Sequence, residues 1–240
     1  MKVDVVFLPA LLRPEHLAGR AVVVLDVLRA TTTMIAALAA GVKEIHVFED
    51  LESAVRGKQH AEPSALLCGE RDCVAPPGFD LGNSPRAFDA AMHSGRTVLM
   101  STTNGTRAIA ATRTAAETLI GALTNASAVA HYLAQRQMDV TLLCAGTAGQ
   151  IATEDIIGAG AIVHGLQTAD IEPKSDAVDI ALRLFESSEN DLRGVLRTSR
   201  GGRNVIAAGL EPDIDFAANL NSCDIVAHAR DLRVTRAAAC

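Results

Sequence analysis

Short runs of apolar residues recur along this 240-residue chain, and each is followed by a stretch of helical composition. The runs at residues 21–27 and 139–144 show little alternation between polar and apolar positions. This pattern is typical of strands that are buried on both faces of a largely parallel sheet. Because such strands alternate with helices, the sequence predicts an α/β fold.

We predict strands at residues 3–8, 21–27, 44–48, 65–68, 97–100, 117–120, 139–144 and 224–227. We predict helices at residues 32–40, 51–58, 85–93, 106–111, 125–136, 153–168, 176–187, 189–198 and 202–208. From about residue 173 the pattern indicates a helical cover followed by one returning strand. The expected architecture is three-layered, α/β/α, with a largely parallel or mixed sheet. We expect one unit over residues 1–240, with two lobes built from repeated strand–turn–helix units as the alternative.

Three segments share the order strand, turn, helix: residues 22–45, 97–120 and 139–163. The tripeptide Ile-Ala-Ala at residues 35–37 recurs at 109–111. One interpretation is a weak internal repeat, and the other is the ordinary likeness of any two strand–helix units. If the repeat is real, the three turns lie together beyond the carboxyl ends of the strands, where open α/β sheets bind ligands.

Composition and charge exclude some classes of partner. The chain has six Phe, one Tyr and no Trp, and its net charge is −6, which argues against a base-stacking nucleic-acid surface. No run of 18 apolar residues occurs and no export signal is evident at the start, so we expect a cytoplasmic protein with no membrane segment. The 22 cations are 18 Arg and 4 Lys, which reflects either compositional bias or anion binding.

The first turn, at residues 26–33, combines a carboxylate, a guanidinium and three hydroxyls. Asp26 ends a strand, Arg29 follows, and Thr31, Thr32 and Thr33 open a helix. The start of a helix offers unpaired N–H groups and a positive dipole end, both suited to an anion. Asp26 is a candidate cation ligand, nucleophile or base. Simple N-capping by the threonines and a dipole partnership for Asp26 are the alternatives.

Two later turns have similar chemistry. The second contains hydroxyls, an amide, a glycine and a cation: Ser101, Thr102, Asn104, Gly105, Thr106 and Arg107. The third is rich in glycine and leads to Glu154 and Asp155 at the start of a helix. These two carboxylates are candidate Mg²⁺ ligands or, alternatively, partners of the helix dipole.

Glu70 and Arg71 also end a predicted strand, and a loop of about fifteen residues rich in Pro and Gly follows them. Long ordered loops of this kind are usually functional. The seven histidines are scattered, with no metal-spaced pair, so a hydrolase built on a Ser/His or Cys/His pair is not favoured.

Taken in order, residues 26–33, 69–71, 78–85, 101–106, 144–146 and 154–155 closely resemble the motifs of the 2-phosphosulfolactate phosphatase family. The resemblance covers about residues 3–230. It implies an α/β/α fold and a magnesium-dependent phosphatase. The implied reaction converts 2-phospho-3-sulfolactate to 3-sulfolactate and phosphate, a step in coenzyme M biosynthesis.

Under this interpretation Asp26, Glu70 and Asp155 are the candidate catalytic residues, and together with Glu154 they are the candidate ligands of Mg²⁺. Arg29, Arg71 and Arg107 would bind the acid groups of the substrate. The Thr31–Thr33 turn and the turn at residues 101–106 would hold phosphoryl oxygens. Whether Asp26 attacks phosphorus itself or a metal-bound water does so is open.

Other functions remain open at this point. One is a phosphatase for another small phosphorylated acid, and another is a non-catalytic protein that binds small anions; a scaffold protein is a third. The expected partner is a small anionic phosphorylated substrate, with no nucleic acid and no membrane. A homo-oligomer is compatible with the sequence.

Overall fold

A computed structural model describes residues 1–167, 172–173 and 175–237 of the chain. Its centre is a ten-stranded mixed sheet. The strands are β1 (Lys2–Val6), β2 (Ala21–Leu25), β3 (Glu44–Phe48), β4 (Leu66–Gly69), β5 (Thr97–Ser101), β6 (Glu117–Gly121), β7 (Val140–Cys144), β8 (Glu172–Pro173), β9 (Ala227–Arg230) and β10 (Arg233–Arg236). The end of the predicted helix at residue 168 and the last three residues of the chain lie outside the described residues.

The sheet consists of two parallel groups joined by a hairpin. One group is β4–β5–β3 and the other is β6–β2–β7–β1–β8. Between them β10 and β9 pair antiparallel with each other, with β3 and with β6. In the larger group Leu25 at the end of β2 aligns with Gly121 of β6 and Cys144 of β7, so these three strands end at one edge.

Helices cover both faces of the sheet. They are α1 (Ala30–Ala39), α2 (Leu51–His60), α3 (Ala90–His93), α4 (Gly105–Ala110), α5 (Ala126–Arg136), α6 (Thr153–Leu166), α7 (Asp176–Ser188), α8 (Leu192–Thr198), α9 (Arg200–Ala207) and α10 (Pro212–Ala217). Along β2, Val23 and Leu25 enter the core shared with α5, α6 and α7, whereas Val22 and Val24 enter the core shared with α1 and α4. The predicted α/β class with helices on both sides is therefore confirmed.

Two predicted elements differ in detail, and one helix was not predicted. The predicted helix at residues 85–93 is a 3-10 turn at Pro85–Ala87 followed by the short helix α3, because Asp89 accepts a hydrogen bond from the Ala91 N–H and caps a new start. The single returning strand at 224–227 is instead the β9–β10 hairpin. Helix α10 was not predicted. In the part of the chain described, no helix is long and apolar enough to cross a membrane.

Candidate active site

Asp26 lies directly beyond the end of β2, where α1 and α4 both begin. Its side chain is buried, and Oδ1 accepts a hydrogen bond from the Ala30 N–H at 3.2 Å. A Cβ placed on Gly105 would lie only 2.7 Å from Asp26 Oδ2, so α4 approaches the carboxylate as closely as a glycine allows. Burial, together with the charges of Glu70 and Glu154, raises the pKa of Asp26 from 3.8 to about 7.

Asp155 and Glu154 occupy the first turn of α6, where helix N–H groups favour carboxylates. Asp155 Oδ1 accepts a hydrogen bond from the Val27 N–H at 2.8 Å, and Oδ2 accepts one from the Gly146 N–H at 2.9 Å. These bonds tie the turn after β7 to the turn after β2. Burial and the nearby charges of Asp26 and Glu154 nevertheless raise the pKa of Asp155 well above its usual range.

Glu154 is 1% exposed, and neither of its carboxylate oxygens has a hydrogen-bond partner among the described residues. Burial raises its pKa. Its Oε1 lies against Gly201 at the start of α9, where no Cβ would fit. Gly201 lines the cavity beside Asp26, so Glu154 lies just behind the cavity wall.

Glu70 ties the end of β4 to the turn after β5. Its Oε1 accepts hydrogen bonds from the N–H and the hydroxyl of Thr103, at 2.7 and 2.8 Å. Its Oε2 accepts a third from the Cys73 N–H at 3.0 Å. Glu70 therefore holds together two loops that border the cavity.

Arg29 is buried, and both terminal nitrogens of its guanidinium contact the protein. Its Nη1 forms an ion pair with Asp213 at 2.7 Å, and its Nη2 donates to the Cys73 carbonyl at 2.7 Å. Asp213 also accepts a hydrogen bond from the Ser84 hydroxyl. The guanidinium thus joins three distant segments beside the cavity, and the preceding Leu28–Arg29 peptide bond is cis.

These segments enclose a cavity of about 130 Å³. Its wall includes Asp26, Arg29, Glu70, Asn83, Asn104 and Asn204. Asn104 Oδ1 accepts a hydrogen bond from the Ala148 N–H, which links the turn after β5 to the turn after β7. The three turns compared in the sequence therefore meet around Asp26, although β5 belongs to the other parallel group of the sheet.

The sequence model of the 2-phosphosulpholactate phosphatase family matches residues 6–231. The chain belongs to this family. Among its relatives, a probable 2-phosphosulfolactate phosphatase of Carboxydothermus hydrogenoformans is 39% identical over 226 residues, covering 94% of this chain and 92% of the relative. Proteins with the same name from Thermotoga maritima and Deinococcus radiodurans are each 38% identical, over 214 and 205 residues. The alignments cover 89% of both chains for the first and 85% of both chains for the second.

Family membership confirms the enzyme class predicted from the sequence, a phosphoric monoester hydrolase. The predicted site residues can each be placed relative to the cavity. Asp26, Glu70, Arg29, Thr102 and Asn104 line the cavity. Gly105 lies against the Asp26 side chain.

The hydroxyls of the three threonines that open α1 bond to backbone groups, and none of the three lines the cavity. Thr31 donates to the Asp26 carbonyl at 2.9 Å and accepts from the Asp26 N–H, and Thr32 donates to the Val27 carbonyl. Thr33 donates to the Asn83 carbonyl. All three are fully buried, and their hydroxyls donate hydrogen bonds to backbone carbonyls. Their role in substrate binding stays a prediction, and the alternative is that they stabilise the turn after β2.

The second turn divides in the same way. Ser101 is buried in β5, and Thr106 donates to the Thr102 carbonyl, so both act within the turn. Arg107 is exposed and donates to the Glu49 carbonyl, and Arg71 is exposed in a tight turn. Neither arginine lines the cavity, and any contact with substrate would need side-chain rotation toward it.

Three cavity features were missed in the sequence. Asp213 is 184 residues from its partner Arg29, and no local pattern signals such a pair. Asn204 lies on a helix assigned only to the cover. Asn83 falls in the long loop after Glu70 and within residues 78–85, so the length of the loop and the family resemblance were both available signals.

The carboxylates on the cavity wall and just behind it are ligands of the kind that a hard divalent cation prefers. As they lie, no three Asp, Glu, His or Cys side chains within the described ranges form a ready-made metal cage. Mg²⁺, however, commonly uses one or two carboxylates and completes its shell with water and substrate phosphate. Asp26 and Glu154 are the best candidates, because Asp155 and Glu70 already accept backbone hydrogen bonds on both oxygens.

A larger cavity of about 580 Å³ opens near the start of β6 and the β9–β10 hairpin. It contains none of the predicted site residues. The smaller cavity is therefore the candidate active site, because its wall includes Asp26 and Glu70 and Glu154 lies just behind Gly201.

Proposed function

We propose that this protein is a magnesium-dependent phosphatase that hydrolyses 2-phospho-3-sulfolactate to 3-sulfolactate and phosphate. The observation that carries the proposal is the buried Asp26 carboxylate, which faces a small cavity where three strand–helix turns meet. Family membership and the names of the relatives support the substrate.

The residues of the chain account for several requirements of phosphoryl transfer. Asp26 lies on the cavity wall, and in the absence of a cation its pKa is raised to about 7, so it can then hold or release a proton around neutral pH. It is also placed to act as nucleophile, and both roles need it at this position. Asp155 positions the turn around it through the Val27 and Gly146 N–H groups.

Asp26 on the cavity wall would hold Mg²⁺, with Glu154 just behind Gly201 as the second carboxylate. When bound, the cation supplies charge neutralisation for the phosphoryl oxygens and the leaving group. Burial is the main cause of the raised pKa values of both carboxylates, and the charges of Glu70 and Glu154 add to it at Asp26, so a divalent cation would favour their ionised forms. The size of the cavity suits a small acid rather than a polymer.

The test is a phosphate-release assay over a panel of phosphorylated acids, with Mg²⁺ or with excess chelator. The panel contains 2-phospho-3-sulfolactate, 2-phospholactate (which lacks the sulfonate) and 3-phosphoglycerate. We expect release to require Mg²⁺, and kcat/KM for the sulfonate-bearing ester to exceed that for 2-phospholactate by about 10-fold or more, the effect of one charge-assisted hydrogen bond.

The outcomes separate the alternatives. Equal or better hydrolysis of another ester would identify the protein as a phosphatase for a different small acid. Binding without phosphate release from any ester would identify a non-catalytic anion-binding protein and contradict the proposal.

A further inference from the structure

Asn83 lies on the wall of the candidate active site, at the end of the long loop that follows β4. Its backbone carbonyl accepts a hydrogen bond from the Thr33 hydroxyl at 3.2 Å. The next residue, Ser84, donates to Asp213 at 2.7 Å. Both neighbouring contacts hold this part of the loop against α1 and α10, so the position of Asn83 is fixed by the fold.

The side-chain amide of Asn83 has no partner within the protein. The residue is 4% exposed, its Oδ1 is buried without a hydrogen bond, and no described residue bonds to the amide. Buried amides are almost always paired, because leaving one unpaired costs free energy. A buried, unpaired amide on the wall of the cavity that Asp26 also lines therefore indicates a hydrogen-bonding group supplied from outside the chain.

The other groups of the cavity leave a role for such an amide. Asp26 and Glu70 are carboxylates, which repel phosphoryl oxygens. The charge of Arg29 is balanced by Asp213, which binds Nη1, and Nη2 donates to the Cys73 carbonyl. Phosphoryl oxygens only accept hydrogen bonds, so they need a donor that the protein has not already used.

We propose that Asn83 binds the phosphoryl group of the substrate, with Nδ2 donating to a non-bridging oxygen. A primary amide can turn over in place, so either its N–H₂ donors or its oxygen can face the ligand. The inference rests on the proposed phosphatase function and adds to it a neutral donor at the reacting group. The main role of Arg29 is then to hold together the segments that contain Asp213 and Cys73.

The first test compares wild type with Asn83→Ala in two measurements. Calorimetric titration with inorganic phosphate in the presence of Mg²⁺ measures anion affinity without turnover, and thermal unfolding measures stability. We expect the Kd for phosphate to rise about 10-fold or more. The melting temperature should stay the same or rise, because the deleted amide has no partner in the fold. Asn190→Ala, at an exposed Asn in a 3-10 turn, is the matched control and should change neither.

Asn83→Asp provides a second variant of nearly identical shape. It replaces the donor with a negative charge, so phosphate affinity and kcat/KM should fall further than in Asn83→Ala. The proposal is overturned if wild type binds no phosphate, if Asn83→Ala keeps its affinity within about twofold, or if Asn83→Ala lowers the melting temperature, which would reveal a structural partner.

Failure of this inference is distinguishable from failure of the proposed function. Phosphate binding that depends on Asn83, without hydrolysis of any ester, would contradict the phosphatase and keep the binding role of Asn83. Hydrolysis that is unaffected by Asn83→Ala would keep the phosphatase and overturn the role of Asn83.

Discussion

At the scale of the residue, Asp26 combines chemical use with a cost in stability. Its carboxylate is buried beside other acidic groups, which raises its pKa from 3.8 to about 7. The pKa values of Asp155 and Glu154 are raised as well, chiefly by burial. Without a cation the protein therefore carries a group of carboxylates that resist ionisation. Binding a cation, or replacing one of these carboxylates by a neutral side chain, should remove this cost in stability.

This placement predicts how stability depends on pH. Because the folded-state pKa of Asp26 lies above the unfolded value, its stabilising contribution is full below pH 3.8 and is lost as pH rises toward about 7. In chelator, the stability of Asp26→Asn relative to wild type should therefore increase from pH 5 to pH 8 by up to about 3 kcal/mol, since about two pKa units at 1.4 kcal/mol each fall in this range. Urea unfolding at several pH values measures this difference.

The exposed Asp179→Asn variant is the control for that series, and its stability should run parallel to wild type. Parallel curves for Asp26→Asn and wild type would show that the buried carboxylate does not resist ionisation.

At the scale of the element, the starts of α1 and α4 meet on Asp26. Gly105 is required for this approach, since an added Cβ would lie 2.6 Å from the Ala30 Cβ and 2.7 Å from Asp26 Oδ2. Such distances force the neighbouring atoms to move. The site therefore depends on a close contact between two helix starts from opposite groups of the sheet.

Gly105→Ala should displace the Asp26 carboxylate and lower kcat by about 10-fold or more, as expected for a small misplacement of a reacting group. The matched control is Gly82→Ala, where the nearest atom would lie at 3.5 Å in ordinary contact. A steady-state phosphate-release assay on both variants tests this. Equal activity in the two would show that the helix contact does not position Asp26.

The hydroxyl of Thr31 gives a separate test at the same element. It both donates to the Asp26 carbonyl and accepts from the Asp26 N–H. Thr31→Val should therefore lower the free energy of unfolding by about 1 kcal/mol, the usual effect of losing an internal hydrogen bond, and leave KM unchanged. A raised KM with unchanged stability would instead support the substrate-binding role predicted from the sequence.

The elements that the sequence predicted best are the buried parallel strands. Residues such as those of β2 are apolar on both faces because both faces are covered, which leaves a clear local signal. The β9–β10 hairpin was missed because its strands are short and mostly polar, with burial at only one position each. The Asp26 and Asn104 turns were predicted from composition, whereas the burial of Thr31 depends on packing that local composition does not encode.

At the scale of the whole molecule, the site is assembled from distant parts of the chain. Arg29 lies after β2 and its partner Asp213 lies on α10, and each side chain is 2% exposed. Ser84 joins the same pair from the loop after β4. Sequence alone placed Arg29 at the site but could not assign its partner, since a buried ion pair over 184 residues follows only from the complete fold.

This pair predicts a strong dependence of the fold on Asp213. Asp213→Ala leaves the buried Arg29 guanidinium without its counter-charge and should cost about 3–5 kcal/mol, whereas Asp213→Asn keeps a hydrogen-bond acceptor and should cost less. Denaturant unfolding of both variants measures the two losses. Equal stability of Asp213→Ala and wild type would show that Arg29 is solvated in the free protein and is available to substrate.

The most direct test of the central claim is phosphate release from 2-phospho-3-sulfolactate by wild type and Asp26→Asn, each with Mg²⁺ and with chelator. Wild type should release phosphate with Mg²⁺ and stop in chelator. Asp26→Asn should remain folded and lose about 10²–10³-fold or more in kcat, the scale of removing one preorganised charged group. Unchanged turnover in chelator, or an Asp26→Asn variant within a few-fold of wild type, would contradict the account.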